Sequence, residues 1–267
     1  MFNDIAPTHR ARKRFGQNFL TDQRIIDRII DSIGLQTSDT VVEIGPGRGA
    51  LTQGLISSGA MLHLVELDRD LGAEWLQRAN ERLSVTITDA LRFDLQSIAP
   101  EHGKLRVVGN LPYNISSPLL FHLLGAKSVI QDMHFMLQRE VVQRLAAEPG
   151  GSDYGRLSVM MQYHCFVEHL FDVPPSAFSP APKVVSAIVR LIPRAHEGTS
   201  LECSKTLDLV VKQAFSQRRK TLRNALGKLI NAEQLDALGI DPSRRAETIS
   251  VDEYVKVANA VQALRDA

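Results

Sequence analysis

The sequence predicts an α/β fold, in which a doubly wound and mostly parallel β-sheet precedes a small all-helical C-terminal domain. Between residues 40 and 147, short β-branched runs alternate with helix-like stretches, which is typical of βαβ units. Three glycines follow the first of these strands, and a helical pattern follows the glycines. After residue 200 the apolar residues recur at helical spacing, so this part of the chain is expected to consist of helices.

Length and composition exclude several classes of protein. With 267 residues, 44% hydrophobic and 23% charged, the chain has the composition of a soluble globular protein with one ordinary domain and a small second one. No apolar run approaches the ~18 residues that cross a membrane, and the N-terminus does not have the pattern of a secretory signal. Cys165 and Cys203 lie far apart, which favours a reducing cytoplasm and neither a disulfide framework nor a metal site.

The first predicted helix has Thr21 as its N-cap and Gly34 as its C-terminal stop. Five isoleucines fall on one face of this helix and are expected to be core: Ile25, Ile26, Ile29, Ile30 and Ile33. The preceding segment, residues 11–20, mixes cations with aromatic residues. It is consistent either with an N-terminal attachment to the core or with a lid over a ligand.

The next elements alternate regularly. Strands are expected at 40–44, 61–66, 85–88, 105–108 and 132–137, and helices at 69–82, 118–124, 138–147 and 156–163. Two longer β-like segments, 165–173 and 184–191, are joined by a proline-rich connection. We expect them to pair antiparallel at one edge of the sheet.

The short polar stretch 193–200 is the predicted domain boundary, which gives domains over 1–194 and 200–267. Ser250 and Glu253 have the spacing of a capping box for the last helix. The core face of that helix is expected to contain Val251, Tyr254, Val255, Ala258 and Val261.

The glycine loop predicts a site for a cofactor that contains adenosine. The strand 40–44 leads into Gly45, Pro46 and Gly47, and glycine lets a bare backbone approach a ligand closely. Gly45, Gly47 and Ala50 also fit the dinucleotide pattern G-x-G-x-x-G/A. The loop alone therefore leaves a nicotinamide-dependent dehydrogenase and a methyltransferase as alternatives.

Polar residues at the ends of three later strands support a bound adenosine. Glu66, Asp89 and Asn110 each come where a predicted strand ends, and the carboxyl ends of parallel strands line the ligand crevice of a doubly wound sheet. A carboxylate at Glu66 is suited to accept both ribose hydroxyls. Asp89 is suited to accept from an adenine amino group.

The segment Asn110-Leu111-Pro112-Tyr113 predicts methylation of an exocyclic base nitrogen. Such a nitrogen is a poor nucleophile, because its lone pair is delocalised into the ring. The Asn110 side chain and a carbonyl of Leu111 or Pro112 can accept its hydrogens and direct the lone pair at a sulfonium methyl group. Tyr113 provides a ring on which a flipped base can stack. A dehydrogenase would leave this segment without a role.

Basic residues are concentrated in two segments, although the net charge is only +1. The first contains Arg10, Arg12, Lys13 and Arg14. Six Lys or Arg and no acid occur between Leu209 and Ala232, namely Lys212, Arg218, Arg219, Lys220, Arg223 and Lys228. This distribution favours a partner with a phosphate backbone.

Four segments resemble motifs of the ribosomal RNA adenine dimethyltransferases: Gln-Asn-Phe-Leu at 17–20, Glu-Ile-Gly-Pro-Gly-Arg-Gly at 43–49, Asn-Leu-Pro-Tyr-Asn-Ile-Ser at 110–116, and Phe-Ser-Pro-Ala-Pro-Lys-Val at 178–184. The resemblance runs from about Arg14 to the C-terminal helices. It implies a Rossmann-like S-adenosylmethionine-dependent methyltransferase sheet with one antiparallel edge strand. The implied cofactor is S-adenosyl-L-methionine, and the implied product is N6,N6-dimethyladenosine.

Within that family the chain is most similar to the bacterial enzymes of the small subunit. This implies two adjacent adenosines in a hairpin loop near the 3′ end of small-subunit (16S) rRNA as targets, within an immature 30S particle. A monomer is expected. The resemblance places the cofactor at Asn18, Leu20, Gly45, Glu66, Asp89 and Asn110, and the target base at Asn110, Leu111, Pro112, Tyr113 and Phe178. The RNA-binding residues are expected to be Arg12, Lys13, Arg14, Arg218, Arg219, Lys220 and Arg223.

Two related functions stay open at this point. A large-subunit RNA dimethyltransferase of the macrolide-resistance type would share the glycine loop and the Asn110 segment. An assembly factor that chiefly binds the immature small subunit, with methylation as a secondary activity, would use the same residues as the enzyme.

Overall fold

The computed structural model describes residues 18–113, 115–194, 201–217 and 219–266. Its strands are β1 (Phe19–Leu20), β2 (Thr40–Ile44), β3 (Met61–Glu66), β4 (Leu83–Ile87), β5 (Leu105–Asn110), β6 (Ile130–Gln138), β7 (Cys165–Val173), β8 (Phe178–Ser179) and β9 (Ser186–Pro193). Its α-helices are α1 (Gln23–Ile33), α2 (Thr52–Ser57), α3 (Arg69–Leu76), α4 (Ser116–Gly125), α5 (Arg139–Leu145), α6 (Arg156–His164), α7 (Leu201–Phe215), α8 (Leu222–Leu226), α9 (Ala232–Ala237) and α10 (Val251–Asp266).

The main sheet has seven strands in the order β4-β3-β2-β5-β6-β9-β7. The pairs β3–β4, β2–β3, β2–β5 and β5–β6 are parallel, whereas β6 and β9 are antiparallel. This confirms the predicted mostly parallel α/β sheet, and β7 and β9 are neighbours at one edge as expected. The strand order reverses between β2 and β5, and in such sheets the ligand crevice lies at this switch point.

Helix α1 buries its apolar face in the hydrophobic core, as predicted. Ile26, Ile29 and Ile33 are buried in the main core, and the helix ends at Gly34, which has a φ of 64°. The predicted N-cap was wrong, because the Asp22 side chain accepts from the backbone N–H groups of Arg24 and Ile25. The Thr21 hydroxyl donates instead to the carbonyl of Ala177.

Helix α3 is shorter than the predicted helix over 69–82, since it ends at Leu76. The chain turns back at Asn80, whose backbone N–H donates to the carbonyl of Leu83 and whose side chain accepts from the N–H of Arg82. This turn lets β4 begin at Leu83, two residues before the predicted strand.

Strands β1 and β8 form a small antiparallel pair that the sequence did not predict. Phe19 is opposite Ser179, and Leu20 is opposite Phe178. Two residues are too few to give a recognisable period in a sequence. The pairing joins the segment that contains Asn18 to the segment that contains Phe178.

The chain divides into two compact units, Met1–Val142 with Glu168–Pro193 and Gln143–Val167 with Arg194–Ala267. In the second unit, the rings of Tyr154 and Phe215 and those of Phe215 and Tyr254 are in contact. The predicted capping box of α10 is present: the Ser250 N–H donates to Glu253, and the Glu253 N–H donates to the Ser250 hydroxyl. Among the described helices, none combines the length and the apolar character that a membrane crossing requires.

Candidate cofactor and base site

A cavity of about 480 Å³ lies at the carboxyl ends of β2, β3, β4 and β5 in the first unit. All the residues predicted to bind the cofactor line it, together with most of those predicted for the base: Asn18, Leu20, Gly45, Glu66, Asp89, Asn110, Leu111, Pro112 and Tyr113. Phe178 is not among the lining residues, since its ring is buried in the main core beside Leu20.

The glycine loop exposes backbone to this cavity. Gly45 has a φ of 67°, and nothing lies within 4 Å of the position that a Cβ would occupy. Its N–H donates to the carbonyl of Val65 at 2.8 Å, so the loop begins as a continuation of the β2–β3 ladder. A residue with a side chain at position 45 would have to adopt this unfavourable backbone conformation, and its side chain would project into open space.

Trp75 packs against the glycine loop and supports it, a role that the sequence did not predict. Its indole N–H donates to the carbonyl of Gly47 at 3.0 Å, and the side chain is fully buried. A Cβ on Gly49 would lie 2.8 Å from the Trp75 ring. As the only tryptophan in the sequence, Trp75 was a candidate for a packing role. Nothing in the spacing, however, links residue 75 to residue 47.

Glu66 connects the end of β3 to the glycine loop. Its Oε2 accepts from the N–H of Gly47 at 3.0 Å, and its Oε1 accepts from the N–H of Asp68 at 2.8 Å. Burial raises the pKa of Glu66, and these backbone hydrogen bonds oppose that shift. Asp89, at the end of the neighbouring strand, accepts from the N–H of Leu91 at 3.0 Å.

Glu43 also lines the cavity and was not predicted as a site residue. Its side chain is buried, and its Oε2 accepts from the Thr52 hydroxyl at 2.7 Å. Burial raises the pKa of Glu43 to about 8, with the Thr52 hydrogen bond opposing and the Glu66 carboxylate adding to the shift. An acid inside the apolar run Val41–Ile44 was the available signal, because a strand buried on both faces rarely contains one.

Asn110 is oriented by the N-terminal segment. Its Nδ2 donates to the backbone carbonyl of Asn18 at 3.2 Å, and no described residue donates to its Oδ1. The turn that follows is attached to β6, because the N–H of Leu111 donates to the carbonyl of Met136 at 3.2 Å. The amide oxygen is therefore available to accept a hydrogen from a ligand.

Tyr113 is held at its hydroxyl group. The hydroxyl lies 2.8 Å from the Oγ of Ser186, the first residue of β9, whose side chain is fully buried. The ring lines the cavity and remains partly exposed.

The basic residues at the α7–α8 connection are on the surface of the second unit. Arg219, Lys220 and Arg223 are exposed. Thr221 forms an isolated antiparallel bridge with Arg245, so the exposed Arg245 extends this basic surface. The predicted RNA-binding residues Arg12, Lys13, Arg14 and Arg218 lie outside the described residues.

Comparison with known proteins identifies the family. A model of the family described as "Ribosomal RNA adenine dimethylase" matches residues 8–263. The chain belongs to the ribosomal RNA adenine dimethylase family. This confirms the resemblance that the four motifs indicated.

Relatives of this dimethylase are similar over almost their entire length. "Ribosomal RNA small subunit methyltransferase A" of Pseudomonas aeruginosa is 54% identical over 264 residues, 96% of each chain. The protein of the same name from Pseudomonas fluorescens Pf-5 is 54% identical over 255 residues, 94% of each chain.

Two solved structures share the dimethylase fold. A dimethyladenosine transferase from Plasmodium falciparum is 26% identical, with a TM-score of 0.77 over 92% of this chain and 98% of that one. The 23S rRNA methyltransferase ErmE is 25% identical, with a TM-score of 0.69 over 92% of this chain and the whole of that one.

As a member of the family, the dimethylase depends on S-adenosylmethionine, which supplies an electrophilic methyl group on a sulfonium. The residues of the cavity fit this group. Gly45 leaves open space at its Cβ position, and the amide oxygen of Asn110 accepts no hydrogen bond from any described residue. Leu67, which follows Glu66, lines the cavity with 49% of its surface exposed and offers an apolar face to a ring.

Proposed function

We propose that this dimethylase transfers methyl groups from S-adenosylmethionine to N6 of two adjacent adenosines in a hairpin loop near the 3′ end of small-subunit (16S) rRNA. The products are N6,N6-dimethyladenosines, formed in the cytoplasm on an immature 30S particle. The proposal rests chiefly on the Asn110 amide, whose oxygen accepts from no described residue, in a chain 54% identical to a small-subunit methyltransferase over nearly its full length.

The strand ends bind the nucleoside of the cofactor in this proposal. Glu66 accepts the ribose hydroxyls, because each carboxylate oxygen retains a lone pair beyond the one used by Gly47 or Asp68. Asp89 accepts from the adenine amino group. Asn18, Leu20 and Gly45 contact the cofactor from the N-terminal segment and the glycine loop.

The Asn110 segment holds the target base. The Asn110 Oδ1 and a carbonyl of Leu111 or Pro112 accept the two N6 hydrogens, so that the nitrogen lone pair turns toward the methyl group. Tyr113 stacks on the flipped base and offsets part of its unstacking cost. Phe178 provides a second aromatic surface if the β1–β8 pair moves when RNA binds, because its ring is buried in the described conformation.

The helical part binds RNA phosphates. The proposed division at 194–200 assigns catalysis to residues 1–194 and RNA binding to residues 200–267, where Arg219, Lys220 and Arg223 are exposed. Together with Arg218 and the N-terminal Arg12, Lys13 and Arg14, these residues place a monomeric enzyme on the particle. Their contribution to affinity falls as the salt concentration rises.

Methyl incorporation into two substrates tests this function. Immature small subunits without the modification and large-subunit RNA are each incubated with the protein and labelled S-adenosylmethionine. Label in the small subunits alone supports the proposal. Label in the large-subunit RNA alone overturns it in favour of the type represented by ErmE, to which the chain is 25% identical.

An assembly role is tested separately. Cells that lack the protein and accumulate immature small subunits receive either the wild-type protein or Asn110→Ala. Rescue by the inactive variant to the level of wild type shows that binding is the main function. Rescue by wild type alone shows that methylation is required.

A further inference from the structure

The cavity extends past the nucleoside positions, between α1 and α2 of the first unit. Its lining there includes Gln23 and Asp27 of α1 and Gln53 of α2. The two helices are in close contact at Gly54, where a Cβ would lie 2.6 Å from the side chain of Ile30. Gln53 is therefore fixed on a closely packed pair of helices.

The Gln53 residue is partly exposed, but both polar atoms of its side-chain amide are buried without a hydrogen-bond partner among the described residues. Neither its Nε2 nor its Oε1 is bonded to any described residue, although both atoms are buried. The Nε2 lies 3.5 Å from the position of a Cβ on Gly49, so the amide is beside the glycine loop. A buried amide with two unsatisfied groups costs stability, which is reasonable where a ligand satisfies them.

The chemistry of the cofactor indicates which part of it Gln53 would meet. The proposed roles of Glu66, Asp89 and Asn110 account for the ribose, the adenine and the methyl group. The remaining polar part of S-adenosylmethionine is an α-amino acid with an ammonium and a carboxylate. A glutamine amide has one group of each kind that this zwitterion requires, a carbonyl acceptor and an NH2 donor.

We propose that the Gln53 amide binds the amino-acid tail of S-adenosylmethionine. This inference rests on the placing of the nucleoside at Glu66 and Asp89 under the proposed function. The tail lies against Gly49 and α2, with the Gln53 Oε1 accepting from the ammonium or its Nε2 donating to the carboxylate. Gln53 then contributes to cofactor affinity without contacting the RNA.

Calorimetric binding of two ligands tests the proposal. S-adenosylhomocysteine carries the amino-acid tail, whereas 5′-methylthioadenosine lacks it. In Gln53→Met, which keeps the length of the side chain and removes both polar atoms, the Kd for S-adenosylhomocysteine should rise about tenfold, as expected for loss of a charge-assisted hydrogen bond. The Kd for 5′-methylthioadenosine should change less than about twofold, because that ligand has no tail.

The matched control is Gln77→Met, at an exposed position at the end of α3, which should bind both ligands like the wild type. An equal loss for both ligands, or no loss for either, would overturn the role of Gln53 while leaving the function intact. If the wild type bound neither ligand, both the role of Gln53 and the cofactor site would be wrong. Thermal unfolding of each variant shows that binding is compared between folded proteins.

Discussion

At the scale of single residues, Glu66 shows how one side chain serves the fold and the site together. Its carboxylate accepts hydrogen bonds from the N–H groups of Gly47 and Asp68, which fixes the glycine loop to the end of β3. Glu66 also lines the cavity, where the ribose of the proposed cofactor would donate to its carboxylate. Replacement of Glu66 would thus alter the loop as well as cofactor binding, and more informative substitutions lie at other residues of the cavity.

Tyr113 is one such residue, because its ring and its hydroxyl can be tested separately. Tyr113→Phe keeps the ring and loses the contact with Ser186. Loss of one hydrogen bond costs about 0.5–1.5 kcal/mol, so the rate of methyl transfer should fall by no more than about tenfold. Tyr113→Ala also loses stacking, worth ~1–3 kcal/mol per base. Single-turnover methyl transfer at saturating cofactor measures both variants. Equal losses in the two would mean that the hydroxyl, and not the ring, carries the function.

Glu43 predicts a pH dependence of stability. Burial holds its pKa at about 8 in the folded protein, against 4.5 ordinarily, so between these values the folded state retains a proton that the unfolded state releases. Stability is therefore lost as the pH rises from about 4.5 to about 8, by up to ~1.4 kcal/mol per pH unit. Glu43→Gln should remove this contribution, so that the variant gains stability relative to wild type as the pH rises.

Chemical unfolding at pH 6, 7 and 8 measures this difference. The exposed Glu81→Gln is the control and should follow the wild type at each pH. A constant difference between Glu43→Gln and wild type would show that Glu43 is ionised throughout this range.

At the scale of elements, the glycine loop and α3 form one packed unit through Trp75. Gly49→Ala forces a Cβ against the Trp75 ring at 2.8 Å, at a φ of 94°. Gly103→Ala is a matched control, because Gly103 has a φ of 93° but nothing lies within 4 Å of its Cβ position. Backbone strain predicts a loss of about 1–3 kcal/mol in both variants, and overpacking adds ~1–3 kcal/mol at Gly49 alone.

Denaturant unfolding and cofactor titration measure the two glycine variants. Only Gly49→Ala should also weaken cofactor binding, since Gly103 does not line the cavity. If both variants bound the cofactor like wild type, support of the loop by Trp75 would not matter for the site.

At the scale of the whole molecule, the basic surface at the α7–α8 connection predicts a salt-dependent affinity for RNA. Replacing Arg219, Lys220 and Arg223 with alanine should reduce the slope of log K against log salt by about 2 to 3, if each binds one phosphate. Cofactor affinity should not change. The control replaces three exposed cations of the same unit, Lys205, Lys256 and Arg265. An equal loss of slope in the control would indicate a general effect of charge.

The sequence predicted the sheet and most of the cavity, because both follow from periodic patterns. Buried parallel strands have apolar runs, and their ends place Glu66, Asp89 and Asn110 on one edge. Contacts between distant segments were not predictable in this way. The Trp75–Gly47 bond, the β1–β8 pair and the unpartnered Gln53 amide depend on how α3, the N-terminus and α2 pack. The N-cap was misassigned because Thr21 and Asp22 are both suitable residues, and the contact that occupies the Thr21 hydroxyl is with the distant Ala177.

In the proposed function, the Asn110 amide presents an adenosine N6 of small-subunit RNA to the methyl donor. Mass spectrometry of that RNA tests it most directly, after immature small subunits have been incubated with S-adenosylmethionine and wild type, Asn110→Ala or the exposed control Asn259→Ala. We expect two N6,N6-dimethyladenosines in the 3′-terminal hairpin with wild type and Asn259→Ala, and none with Asn110→Ala. Dimethyladenosine formed by Asn110→Ala at the wild-type rate would show that the Asn110 amide does not have this role. Its absence from that hairpin with wild type would show that the substrate is wrong.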